Sequence, residues 1–169
     1  MSAALVFWIT ATVAILATGF TVTGRNPVHA LMYLIVSLLA VAVIFFLLGA
    51  PFAALVEVIV YAGGIMVLFV FVVMMLNLGE ETIAQESKLL TLRAWIGPGI
   101  LAAVLLVEVI VLMHQGTLAA GGALNPAGVE VTAKQVGIAM FGPYLLAVEL
   151  GSMLLLGALV AAYHLGRNE

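Results

Sequence analysis

Cysteine is absent from the chain, which removes disulfides, thiolate metal sites and iron–sulfur ligation by its own residues. Charge is scarce as well. Asp, Glu, Lys and Arg make up 8% of the 169 residues, and none of the four occurs from Asn26 to Val56. A composition this poor in ions excludes a soluble domain, and the formal net charge of −3 rests on too few groups to imply a nucleic-acid partner. Phosphate-binding loops, dinucleotide fingerprints, nucleophile elbows and zinc-type His/Glu spacings are missing, so the sequence offers no redox or hydrolytic centre. No charged region precedes the first apolar run at Ser2–Thr23, the pattern expected of an uncleaved first span rather than a removable signal peptide.

What the chain does contain is apolar: 66% of its residues are hydrophobic and the mean hydropathy is +1.34. A bilayer span needs about 20 mainly apolar residues, so the length admits five spans and little else. With charges, Pro and Gly as punctuation, the spans fall at about 3–22, 27–48, 52–78, 95–113 and 142–165, within a single membrane domain over residues 1–169. The fold class expected is therefore an all-α integral membrane protein of five transmembrane helices. Asn26 suits the cap of the second helix and Pro27 its first turn, and Gly49-Ala50-Pro51 separates the second span from the third. The linker Glu80–Arg93 has the composition of an aqueous loop. In the second linker, His114–Gln135, Thr132 is placed to start a short amphipathic helix before Pro143 turns the chain into the last span. Arg25, Lys88, Arg93 and Arg167 fall on one side and Lys134 alone on the other, which predicts an outer N-terminus and an inner C-terminus.

Three carboxyls lie inside these spans: Glu57, Glu108 and Glu149. A carboxyl in hydrocarbon costs a few kcal/mol unless it is protonated, hydrated or paired. Each is about 9 Å from one end of its helix at about 1.5 Å per residue, and with alternating spans all three are expected in one layer, able to exchange protons through water. The alternative is that each is a lone acid bonded to a neighbouring helix, or snorkels to the near surface. Tyr61 follows Glu57 at i+4 and Gly64 at i+7, which predicts acid, phenol and glycine on one α-helical face. Gly63 and Gly64 either supply a pliable point, a bend or an i→i+5 bulge, or let another helix approach closely. In the last span Ala147 with Gly151 and Gly157 with Ala161 form small-xxx-small pairs expected to pack against a helix. His29, His114 and His164 are solitary; His29 with His164 is the minimum for two haem ligands, but both lie near helix ends.

The stretch NPVHALMYLIVSLLAVAVIFFLLGAPFAALVEVIVYAGGIMVLFVFVVMMLNLG (Asn26–Gly79), followed by GPYLLAVELGSMLLLGALVAA (Gly142–Ala162), closely resembles the subunit J family of bacterial proton-pumping NADH:quinone oxidoreductase, respiratory complex I, whose mitochondrial counterpart is NADH dehydrogenase subunit 6. The resemblance covers nearly the whole chain, and the block from Glu57 to Met66 is specific to that family. It implies a π-bulge in the third span at about Tyr61–Val67, including Gly63, Gly64 and Met66, whose rearrangement makes and breaks a water chain. It implies the A, K, H and N subunits as neighbours in a bacterial inner membrane. NADH, FMN, iron–sulfur clusters and quinone are then expected on other subunits, with no cofactor and no metal on this chain. Glu57 matches the family acid before the tyrosine and Glu149 an acid in the last span; Glu108 matches no family motif. The competing readings are a structural scaffold without protons to carry, and a membrane subunit of a related cation/proton antiporter or membrane-bound hydrogenase.

Overall fold

A computed structural model of the chain describes residues 3–24, 26–76, 92–114, 124 and 130–167. All regular secondary structure among them is helical: α1 (Ala3–Thr23), α2 (Pro27–Leu47), α3 (Pro51–Val56), a π-helix (Glu57–Ile65), α4 (Met66–Leu76), α5 (Leu92–His114), α6 (Ala133–Phe141) and α7 (Leu145–Gly166). The segments α3, π-helix and α4 run on without a break as the third span. Five stretches are long and apolar enough to cross a bilayer: Ala4–Thr23, Pro27–Leu47, Pro51–Val73, Trp95–His114 and Leu145–Gly166. Glu80–Thr91 of the linker expected to be aqueous, together with Arg25, Lys88 and Asn125-Pro126, lies outside the described residues. Arg93, assigned to that loop, already belongs to α5.

The chain forms two compact units, Met1–Glu130 and Val131–Glu169. In the first, α2 packs along α1, α5 and the third span. Its core is built in two levels. Val13, Ala17, Val36, Ala40 and Leu105 meet in the middle of the helices; Val6, Leu47 and Leu112 meet at the end where α1 starts and α2 and α5 finish. In lipid such contacts gain little from the hydrophobic effect, because the tails are as apolar as the side chains, and depend instead on close packing and hydrogen bonds. The alanines permit the former. The hydroxyls of Thr18 and Ser37 supply the latter, 2.7 Å apart between α1 and α2.

Local sequence signals explain the corners. Asn26 is extended and its Oδ1 accepts hydrogen bonds from the backbone N–H groups of Val28 and His29, with Pro27 as first helical residue, the cap expected from residue type. At the end of α2 the Gly49 N–H donates to the Phe46 carbonyl and the Ala50 N–H to that of Phe45, each at 3.0 Å. This is the Schellman pairing, which needs a left-handed residue, and Gly49 supplies it at φ 83°. Pro51 opens the next helix two residues later.

The second unit contains α6 and α7. Thr132 caps α6, and its backbone N–H and side chain exchange hydrogen bonds with Gln135 in a capping box. The last span starts at Leu145 rather than at Gly142, because Gly142-Pro143-Tyr144 are spent on the turn out of α6. None of the residues of α7 is buried.

Candidate functional site

The sequence signals converge on the head of the third span. Glu57 is the first residue of the π-helix and is buried, at 9% exposure. The wide turns run from Glu57 to Ile65, earlier than the Tyr61–Val67 expected. Met66 and Val67 belong to α4, although the Met66 N–H still donates to the Tyr61 carbonyl five residues back, an i→i+5 bond.

This winding changes which residues share a face. The expectation that Glu57, Tyr61 and Gly64 lie together assumes α geometry, in which two turns take about seven residues. With i→i+5 pairing each turn takes up roughly one residue more, so two turns span about nine. Accordingly Glu57 and Met66 both face inward, Met66 at 2% exposure, whereas Tyr61 is 48% exposed and Gly64 is also exposed. Among the described residues no side chain hydrogen-bonds Glu57, so the Tyr61 hydroxyl is not its partner here.

The two glycines also differ. A Cβ on Gly63 would sit 3.3 Å from the Val58 carbonyl oxygen five residues earlier, tighter than ordinary contact; on Gly64 the nearest atom is the Ile59 carbonyl oxygen at 3.8 Å. Gly63 is thus the residue fitted to the wide turn, and Gly64 tolerates a methyl group.

Glu108 occupies a different setting. It lies in the uninterrupted α5 at 3% exposure. Its Oε2 is 2.9 Å from Oγ1 of the fully buried Thr10 on α1, and that Oγ1 is also 2.8 Å from the Val6 carbonyl oxygen. Glu108 Oε1 is buried with no hydrogen-bond partner among the described residues. Sequence reasoning missed Thr10. The signal was present, because Val6, Thr10, Val13 and Ala17 are spaced i, i+4, i+7, i+11 and are all buried, one helical stripe with a single hydroxyl in it.

Glu57 stands six residues after Pro51, and Glu108 six before His114; each is therefore about 9 Å along its helix at 1.5 Å per residue. They are not brought together by polar groups. An apolar groove of about 490 Å3 separates the third span from α5, lined by residues such as Ala54, Val58, Leu105 and Val109, with neither acid among its walls. Glu149 lies in the second unit, exposed, with its backbone carbonyl accepting from Ser152 Oγ at 2.7 Å. A Cβ on Gly151 or Gly157 meets nothing within 4 Å, so among the described residues of that unit no helix is seated on the faces of Ala147, Gly151, Gly157 and Ala161. His29 is part-buried on α2 with Nε2 unpartnered among the described residues, while His114 and His164 are exposed.

Comparison with known proteins shows the family. The family described as NADH-ubiquinone/plastoquinone oxidoreductase chain 6 matches residues 17–165. The chain is 60% identical over 163 residues to NADH-quinone oxidoreductase subunit J of Pseudomonas aeruginosa, covering 96% of each protein. It is 58% identical over 166 residues to the subunit J of Escherichia coli, covering 96% of this chain and 86% of that protein. Identity to the subunit J of Buchnera aphidicola subsp. Schizaphis graminum is 43% over 164 residues, covering 97% of this chain and 98% of its relative.

Proposed function

This chain belongs to the subunit J family of NADH-quinone oxidoreductase, complex I, and we propose that within such an assembly its third span couples quinone reduction to proton transfer. The chain is a multi-pass membrane subunit, and its family makes other complex I subunits its partners. The A, K, H and N subunits are the proposed neighbours, in the bacterial inner membrane with the N-terminus outside. NADH, FMN, iron–sulfur clusters and quinone are assigned to other subunits, so the contribution of this one to the oxidoreductase is translocation rather than redox chemistry.

The observation that carries the reading is the placement of a buried carboxyl at the first residue of a nine-residue π-helix. An acid inside a membrane protein is a functional candidate by default, and π turns are rare and concentrate at functional sites. Glu57 is the proton-loading residue in this scheme. The π-helix is one of two windings: in the wide form Met66 faces inward beside Glu57, and in an α form Gly64 and Tyr61 take that face. A thioether and a bulky stem would then be exchanged for a phenol and a glycine, the polar and open combination that admits water. Glu149 is proposed as a further pathway acid on the last span, reached when another subunit covers α7.

Glu57→Gln tests the assignment. The amide keeps the size and cannot release a proton, so proton yield per NADH in reconstituted vesicles is expected to fall while electron transfer from NADH to artificial acceptors persists. Unchanged yield and quinone turnover would reduce Glu57 to a packing residue and favour the scaffold reading.

A further inference from the structure

We propose that Glu108 and Thr10 form a second proton-binding site on this subunit, in which Glu108 is a neutral acid that donates its proton to Thr10 and so latches α5 to α1. A count of hydrogens carries this assignment, independently of the role of Glu57. Thr10 Oγ1 carries one proton and lies within hydrogen-bond distance of two oxygens, 2.8 Å from the Val6 carbonyl and 2.9 Å from Glu108 Oε2. A backbone carbonyl only accepts, and an ionised carboxylate only accepts. With Glu108 ionised, one of the two short contacts would set lone pair against lone pair. With Glu108 protonated at Oε2, both are satisfied in sequence: the carboxyl donates to Thr10 Oγ1, and Thr10 donates to the Val6 carbonyl, the back-bond a threonine commonly makes in a helix.

Oε1 agrees independently. It is buried and meets no donor among the described residues; an unmet carbonyl-type oxygen is tolerable, whereas an unmet carboxylate oxygen at this burial is heavily penalised. Among the described residues no cation stands near to offset a charge. The described part of α1 has no titratable side chain. On α2 the titratable groups are His29 and Tyr33, and the Tyr33 hydroxyl lies against Gly97, eleven residues or roughly 16 Å along α5 from Glu108. On α5 itself Arg93 is fifteen residues from Glu108, roughly 22 Å along the helix, His114 is exposed and six residues away, and the groove facing the third span is apolar with Glu57 outside it.

The pair differs from an inert structural bond in one respect: its geometry is complete only while the proton is present. Removing it would leave two acceptors facing Thr10 and loosen the contact between α1 and α5. The test is infrared difference spectroscopy on the intact complex, wild type against Glu108→Gln, with Thr10→Val and Thr10→Ser on the Glu108 background. The expected result is loss of a neutral-carboxyl C=O stretch in Glu108→Gln, displacement of the same band in Thr10→Val, where the acid loses its acceptor, and its return in Thr10→Ser. Loss of a carboxylate band instead, or a neutral band indifferent to Thr10→Val, overturns the proposal. If Glu108→Gln fails to assemble, the two Thr10 variants decide the question by themselves, through displacement of the neutral band in one and its return in the other. The signal is independent of pumping, so a silent Glu57→Gln leaves it standing, and a carboxylate signature at Glu108 leaves the Glu57 reading untouched.

Discussion

Two buried glutamates at matching depth on two helices of one unit are handled in opposite ways. Glu108 sits in regular α-helix, with a hydroxyl from a neighbouring helix against it. Glu57 sits where the backbone leaves α geometry, with no side-chain hydrogen bond among the described residues. The first acid is fixed by a partner and its backbone is ordinary; the second has no such tie and its backbone is the unusual element. Burial alone therefore does not set the two acids apart. The hydrogen-bond inventory around the carboxyl and the winding beneath it do.

The sharpest way to break that contrast is at the third span. Replacing Gly63 by Val and Gly64 by Leu presses a branched side chain on the Val58 carbonyl, only 3.3 Å from a Cβ at Gly63. The rate of proton translocation is expected to fall about as far as in Glu57→Gln, roughly 10²-fold where a positioned proton-transfer group is lost, with artificial-acceptor activity retained. Normal pumping in the double variant would remove the switch from the mechanism. Gly64→Ala alone, with 3.8 Å to its nearest atom, is expected to pump within about twofold of wild type, since a methyl group fits there without displacing the turn.

On α5 the expected response is in stability, not in pumping. A Cβ at Gly97 runs into the Tyr33 hydroxyl, so Gly97→Ala should destabilise the assembled subunit by about 1–3 kcal/mol, the usual range for overpacking. Thermal dissociation in detergent measures it, and Tyr33→Phe should restore part of the loss. Recovery of none would mean that the clash is not at the hydroxyl. Smallest of all, Asn26→Ala removes the side-chain acceptor for Val28 and His29 and should cost about 1 kcal/mol in the same assay, with proton yield unchanged.

Much of this was legible from the residues. Five spans followed from hydropathy and from Pro and Gly, and the caps at Asn26 and Thr132 followed from residue type, because capping is a local interaction. The face expected to join Glu57, Tyr61 and Gly64 is not formed, because a face assignment presupposes the winding, and nothing in the spacing of the nine residues Glu57–Ile65 distinguishes 3.6 residues per turn from a wider one. The familial resemblance predicted a π-bulge but placed it at Tyr61–Val67, while the wide turns begin at Glu57. Thr10 was overlooked because a hydroxyl in a span satisfies itself on its own backbone and gives no sign of a second partner ninety-eight positions away. Small-residue pairs on α7 announced a packing face without naming an occupant, since such spacing records how closely a helix can approach and not which helix does.

The corner at Gly49 has a mechanical consequence. The Schellman pairing and Pro51 tie the head of the third span to the end of α2, which restrains that end. Any change in the number of residues per turn below it is then delivered entirely downstream, like torsion in a rod held in a vice. Taking one residue out of the wide turns rotates α4 by about 100° and advances it about 1.5 Å, which swings an apolar shaft carrying Phe69 and Phe71 around its own axis. If the third span rewinds as proposed, the tie would turn that local change into a screw motion of α4.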